Sequence, residues 1–106
     1  MNKAHLRALL VLAVTAFSAH AAEPGLATYQ SVCIACHAVE NVMVSAPKAG
    51  DSAAWQKRLA AQPKGLESLT DNAMNGIGAM PAKGGRDELT REQVQQAIRF
   101  MMTPRR

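Results

Sequence analysis

Cys33-Ile34-Ala35-Cys36-His37 is the stretch on which the reading of this 106-residue chain turns. Two thiols with two residues between them, followed at once by an imidazole, make the C-x-x-C-H pattern of a covalent c-type haem attachment site. Each thiol can add across a haem vinyl group to form a thioether. On a helix-like turn the two-residue spacer puts both sulfurs under one porphyrin edge. The imidazole of His37 then lies beneath the iron as its proximal ligand.

Three other chemistries share part of this pattern. A thioredoxin-type dithiol carries C-x-x-C in a βαβ setting that the rest of the chain does not offer. A zinc site asks for about four ligands. The chain has two cysteines and three histidines, and His5 and His20 fall in a segment read below as a cleaved leader. A disulfide between Cys33 and Cys36 would be strained and would close almost no loop, so it would stabilise little.

The first 21 residues have the build of a secretory signal: Lys3 and Arg7, then a nearly unbroken apolar run over 8–17, then Ala19-His20-Ala21 as a small-x-small cleavage site. The competing reading is a retained membrane anchor, but the run falls short of the roughly 20 residues that span a bilayer. No cysteine follows it at a lipoprotein position. The expected division is a leader over 1–21 and one monohaem domain over 22–106, exported to the periplasm.

The net charge of +4 and pI of about 9.5 overstate the basicity of that domain. It keeps all eight acidic residues and ten of the twelve basic ones, for a net charge of +2. Two haem propionates would offset much of this, so nucleic acid is not an expected partner, nor is a membrane once the leader is gone. With Tyr29, Trp55 and Phe100 as its only aromatic residues, the domain has a thin core of its own. A buried haem would supply the missing apolar mass.

Strand-like alternation is absent and β-branched residues are sparse, so the fold class is all-α. Four helices are predicted. The first runs from about Pro24 into the haem motif, with Leu26, Tyr29 and Cys33 on one stripe. The second starts at Asp51 as N-cap, carries Trp55 and Leu59, and stops before Pro63 and Gly65. The third spans about Leu66 to Asn75, ended by Gly76. The fourth opens on the capping box Thr90-Arg91-Glu92-Gln93, with Leu89 stapled to Val94 and an apolar face of Val94, Ala97, Ile98 and Met101. The loops over 38–50 and 76–88 are long for so small a domain and are expected to wrap the haem.

His37 is the one histidine outside the leader, so a methionine sulfur is the natural second axial ligand. Met101 and Met102 sit in the last helix and Met74 in the third, where core packing is the simpler account. Met43 lies only six residues past His37, too near to reach the opposite ring face. Met80 lies in Asn75-Gly76-Ile77-Gly78-Ala79-Met80-Pro81, where two glycines allow close approach to a flat ring and Pro81 fixes the backbone. Met80 is the expected ligand, with an open or lysine-ligated iron as the alternative.

Taken together, these residues resemble a class I cytochrome c, and more closely the bacterial cytochrome c₅ group. The narrower likeness is carried by Ala46-Pro47-Lys48-Ala49-Gly50-Asp51, Ala53-Ala54-Trp55, Asn72-Ala73-Met74-Asn75-Gly76 and Ala79-Met80-Pro81-Ala82-Lys83-Gly84. The resemblance implies first and last helices that cross near-perpendicularly, with Gly25 and Tyr29 facing Ala97 and Phe100. It implies that the Pro47 carbonyl accepts the second ring N–H of His37, and that Trp55 and Arg58 lie near a haem propionate. The family often carries a further cysteine pair after its Met-Pro stretch, where this chain has Gly85 and Arg86.

With His37 and Met80 both bound, iron would be saturated, which points to a one-electron carrier and not an enzyme. The expected partners are a quinol-oxidising complex or dehydrogenase on one side and a terminal oxidase or reductase on the other, met by a monomer. Lys48, Lys83 and Arg86 are candidate docking cations at the haem edge, against a plain solvated surface. Two other functions stay open: a dedicated cytochrome subunit of a periplasmic dehydrogenase, and a haem sensor or peroxidase should Met80 not bind.

Overall fold

A computed structural model of the chain describes residues 10–17 and 22–105. Residues 10–17 form no helix and are exposed, and the predicted cleavage site at Ala19–Ala21 lies outside the described residues.

Beyond Pro24 and Gly25 the chain enters a helical run in three pieces: α1 (Leu26–Thr28), a π-helical turn (Tyr29–Cys33) and α2 (Ile34–His37). The sequence predicts one continuous α-helix here. The structure differs by widening the middle turn, and a widened turn re-aims the side chains that follow it. The Ser31 hydroxyl donates to the carbonyls of Ala27 (2.8 Å) and Thr28 (3.3 Å), a contact that bends helices. Leu26, Tyr29 and Cys33 do lie together against the core, as their stripe predicts.

Three further α-helices follow: α3 (Ser52–Ala60), α4 (Leu66–Asn75) and α5 (Arg91–Met102). Asp51 caps α3 by accepting a bond from the Ala54 N–H at 3.1 Å. α5 shows the full capping box, with Thr90 and Gln93 exchanging side-chain and backbone bonds. The loop over 76–88 holds a short 3₁₀ turn (Ala82–Gly85) that the sequence reading leaves as loop. Among the described residues there is no β-strand, only a bridge between Ile77 and Met80.

α5 is the centre of the packing and touches α1, the π-helical turn, α3 and α4. Its residues Val94, Ile98, Phe100 and Met101 join Ala49, Trp55, Leu69 and Ala73 in the core. Tyr29 packs on Phe100 with ring centroids 5.0 Å apart. Gly25 lies so close to α5 that a Cβ there would come within 2.1 Å of the Gln96 carbonyl oxygen. The expected facing of Gly25 and Tyr29 with Ala97 and Phe100 is therefore present. α4 is held on α5 by a seam that the sequence reading does not foresee. Thr70 is fully buried, donates to Leu66 O (2.8 Å) and accepts from Gln95 Nε2 (3.2 Å).

Candidate haem site

The two long loops close over a cavity of about 450 Å³, walled by residues of the haem motif, α3, α4 and α5. That volume lies in the range of roughly 300–1,000 Å³ in which proteins enclose small organic ligands.

His37 closes α2 and is only 7% exposed. Its Nδ1 lies 2.7 Å from the Pro47 carbonyl oxygen. A carbonyl can only accept, so Nδ1 carries the proton and donates it, and the free lone pair belongs to Nε2. Burial lowers the imidazole pKa, the Pro47 bond opposes this, and the charges of Lys48 and Arg58 add to the lowering. The ring is thus kept in the neutral form that binds metal, with its tautomer set by the backbone. Trp55 stacks beside it, centroids 5.8 Å apart and planes 27° off parallel. The Trp55 indole N–H is spent on the Lys48 carbonyl at 3.0 Å, so this tryptophan buttresses the histidine loop from within.

Cys33 and Cys36 both line the cavity, the first half-buried and the second exposed. Burial pushes the Cys33 thiol up to about 11. A catalytic dithiol needs a depressed thiol pKa, so the thioredoxin-type reading loses its chemical basis here.

Met80 enters the same cavity from a tight turn. The Ile77 N–H donates to Met80 O (3.0 Å) and the Met80 N–H returns a bond to Ile77 O (2.9 Å). Gly76 makes this turn possible, because at φ +86° a Cβ would press to 3.0 Å from Ala82 N and 3.1 Å from Met80 O. Of the other methionines, Met43 is 90% exposed, and Met43, Met74 and Met102 do not line the cavity. Met101 does line it, but from within the core, as one of the most buried residues of α5.

Among the described residues, Arg58 and Lys83 are the charged ones lining the cavity, both cationic, and no carboxylate is among the lining. Gln62 and Asn72 add polar groups that the sequence reading does not single out. Gln62 lies past the end of α3 in no motif, whereas Asn72 stands in one of the quoted stretches. The loop that lacks the second cysteine pair is braced by other means. Lys83, at φ +54°, donates to Asp87 O (3.0 Å), Arg86 pairs with Glu88, and Gly84 sits hard against Val32.

These groups fit a haem. One imidazole nitrogen and one thioether sulfur share an apolar cavity, two thiols lie together on its wall, and two cations line it, a set that suits a porphyrin with its carboxylates. Among the described residues no cluster of three or more His, Cys, Asp or Glu offers a rival metal site.

Comparison with known proteins agrees. Residues 20–101 match the profile of a family described as "Cytochrome C oxidase, cbb3-type, subunit III". Cytochrome c-555 of Chlorobaculum tepidum is 39% identical over 106 aligned positions, covering 96% of this chain and 93% of that protein. The chain belongs to the c-type cytochromes. Cytochrome c5 of Ectopseudomonas mendocina is 39% identical over 69 residues, or 65% of this chain and 76% of that one. Among solved structures, a chain from the "electron transfer complex of nitrite reductase with cytochrome c" superposes with a TM-score of 0.62 at 34% identity, covering 78% of this chain and 95% of that chain. This cytochrome carries one covalently bound haem c and has the helical class I fold. No helix among its described residues is long and apolar enough to cross a membrane.

Proposed function

We propose that this cytochrome is a periplasmic one-electron carrier whose haem is held covalently by Cys33 and Cys36 and ligated by His37 and Met80. The observation that carries the proposal is the pairing of His37, its Nε2 left free by the Pro47 bond, with Met80 in one cavity. When bound, the haem supplies an iron that cycles between ferric and ferrous states. The chain's own part would be to supply both protein ligands, the His37 nitrogen and the Met80 sulfur, leaving no open position for substrate or dioxygen. Pro47 and Trp55 fix the imidazole, and the Gly76–Pro81 turn fixes the sulfur, so the donor set moves little on reduction. Arg58 and Lys83, which line the cavity, would be the cations that meet the propionates.

Residues 1–21 are the proposed export leader and 22–106 the functional domain, with Ala22 as the new N-terminus. The proposed partners are redox proteins: a quinol-oxidising complex or dehydrogenase as donor, and an oxidase or reductase as acceptor. The solved complex of a related cytochrome with nitrite reductase supports the acceptor class. A second reading, a fixed subunit of a larger redox enzyme, is favoured by the description of the matching family. Co-purification with a large complex would select it, whereas a carrier elutes alone.

Met80→Ala is the direct test. The variant should keep its covalent haem, lose the sulfur-to-iron charge-transfer band of the oxidised spectrum, and bind CO when reduced. Its potential should fall by on the order of 0.1 V. A wild type that binds CO as readily as the variant is a sensor or peroxidase, and an unchanged variant spectrum removes Met80 from the iron.

A further inference from the structure

α2 is one turn long and ends at His37, so its last carbonyls find no partner inside the helix. The loop that follows returns to bind them. Asn41 Nδ2 donates to Ala35 O (2.5 Å), Lys48 Nζ to Cys36 O (3.1 Å) and the Ala49 N–H to His37 O (2.8 Å). Two of these donors are uncharged. The third is an ammonium, and it serves the carbonyl of the peptide that leads into His37. Lys48 Nζ also donates to Val44 O at 2.8 Å, within the same loop.

Residues 47–49 thus hold His37 by its ring and by the peptides on both sides of it. Pro47 O accepts the ring proton at 2.7 Å, Ala49 donates to the His37 carbonyl, and Lys48 between them donates to the carbonyl in front. The backbone of Lys48 is itself fixed, because its own carbonyl accepts from the Trp55 indole N–H (3.0 Å) and the Asp51 N–H (3.1 Å). A side chain that is ordinarily a flexible stem is here tied at both ends. Lys48 is half-buried, and among the described residues no carboxylate pairs with it. Its charge therefore stays uncompensated and reaches the imidazole, whose pKa it helps to lower. The sequence offers Lys48 for docking, and the structure gives its ammonium a task inside the chain.

We propose that Lys48 sets the reduction potential: its ammonium, stapled to the Cys36 and Val44 carbonyls, keeps a fixed positive charge beside the proximal ligand and favours the reduced state. Reduction adds one electron to the iron and removes no group, so a cation held nearby stabilises the ferrous form. The two bonds matter as well as the charge. They fix its distance and hold it against the loop, where salt screens it less than in open solvent. This inference rests on His37 being the proximal ligand, as proposed above.

The test compares the ferrous-to-ferric ratio of holoprotein variants at one ambient potential, in about 50 mM salt. Lys48→Met keeps the length of the side chain but removes the charge and both bonds. Its ratio should lie about fivefold below that of the wild type, roughly 40 mV for a one-electron couple. Lys48→Gln, neutral but still a donor, should fall with it, and carries the comparison alone where Lys48→Met does not mature. Lys48→Arg, which keeps the charge, should stay within about twofold of the wild type, and so should Lys57→Met, which removes an exposed α3 cation outside the cavity lining. By NMR of the wild type, the Lys48 ammonium protons should exchange with water about tenfold more slowly than those of Lys57. A wild-type ratio in either neutral variant overturns the proposal, as does an equal fall in Lys57→Met or Lys48→Arg, or Lys48 protons as labile as those of Lys57. Hyperfine-shifted ring protons of His37 in the ferric wild type separate the two levels: if they are absent, the ligation reading falls, and if they are present, only the role of Lys48 is in question.

Discussion

His37, the proposed haem ligand, shows how much of a side chain's chemistry is set by its neighbours. Its tautomer is chosen by a backbone carbonyl ten residues downstream, which in turn is held in place by the Trp55 indole bonded to the neighbouring Lys48 carbonyl. Trp55→Phe should therefore act in two ways. It removes one of the two donors to the Lys48 carbonyl, which keeps its bond from the Asp51 N–H at 3.1 Å, at a cost of about 1 kcal/mol in thermal or denaturant unfolding. It also loosens the loop carrying Pro47, and a small shift in midpoint potential would report this. Trp55 is readable in the sequence as an apolar helix residue, but its polar duty is not, because the acceptor is a backbone atom. Cys33 is a parallel case: the motif names the thiol, and only burial raises its pKa to about 11.

At the scale of elements, α3, α4 and α5 follow their local signals closely, since caps and apolar stripes act within a few residues. The π-helical turn does not, because no residue of 29–33 announces it. Gly25 shows what a helix crossing demands: its positive φ and the 2.1 Å approach of a virtual Cβ to Gln96 O leave no room for a side chain. Gly25→Ala should destabilise the fold by roughly 2–4 kcal/mol, a loss read as a lowered thermal midpoint. Thr90→Ala removes the side-chain half of the α5 capping box and should cost about 1 kcal/mol in the same assay, because it opens one helix end and moves no core contact.

For the molecule as a whole, the buried apolar residues cluster on α5 and its neighbours, while the haem cavity lies beside them and shares Leu69, Ala73, Val94, Ile98 and Met101 with them. One wall of the core is thus also the wall of the haem site. Cys33→Ala with Cys36→Ala should abolish covalent haem in the exported protein, and much of the helical circular dichroism should go with it. A cooperative, fully helical protein from that double variant would show that the polypeptide core suffices alone.

The all-α class, the limits of α3, α4 and α5 and the haem motif are legible in the chain because each rests on short-range chemistry: a two-residue spacer, a capping box, an apolar period. Tertiary structure decided which chemistry surrounds the motif. It brought Pro47 to His37, gathered Arg58 and Lys83 on one cavity, buried Thr70 under Gln95, and bonded Lys48 to the carbonyl oxygens of Cys36 and Val44. Those outcomes depend on backbone acceptors and long-range packing. A lysine looks the same in sequence whether its ammonium group ties down its own loop or bonds only water.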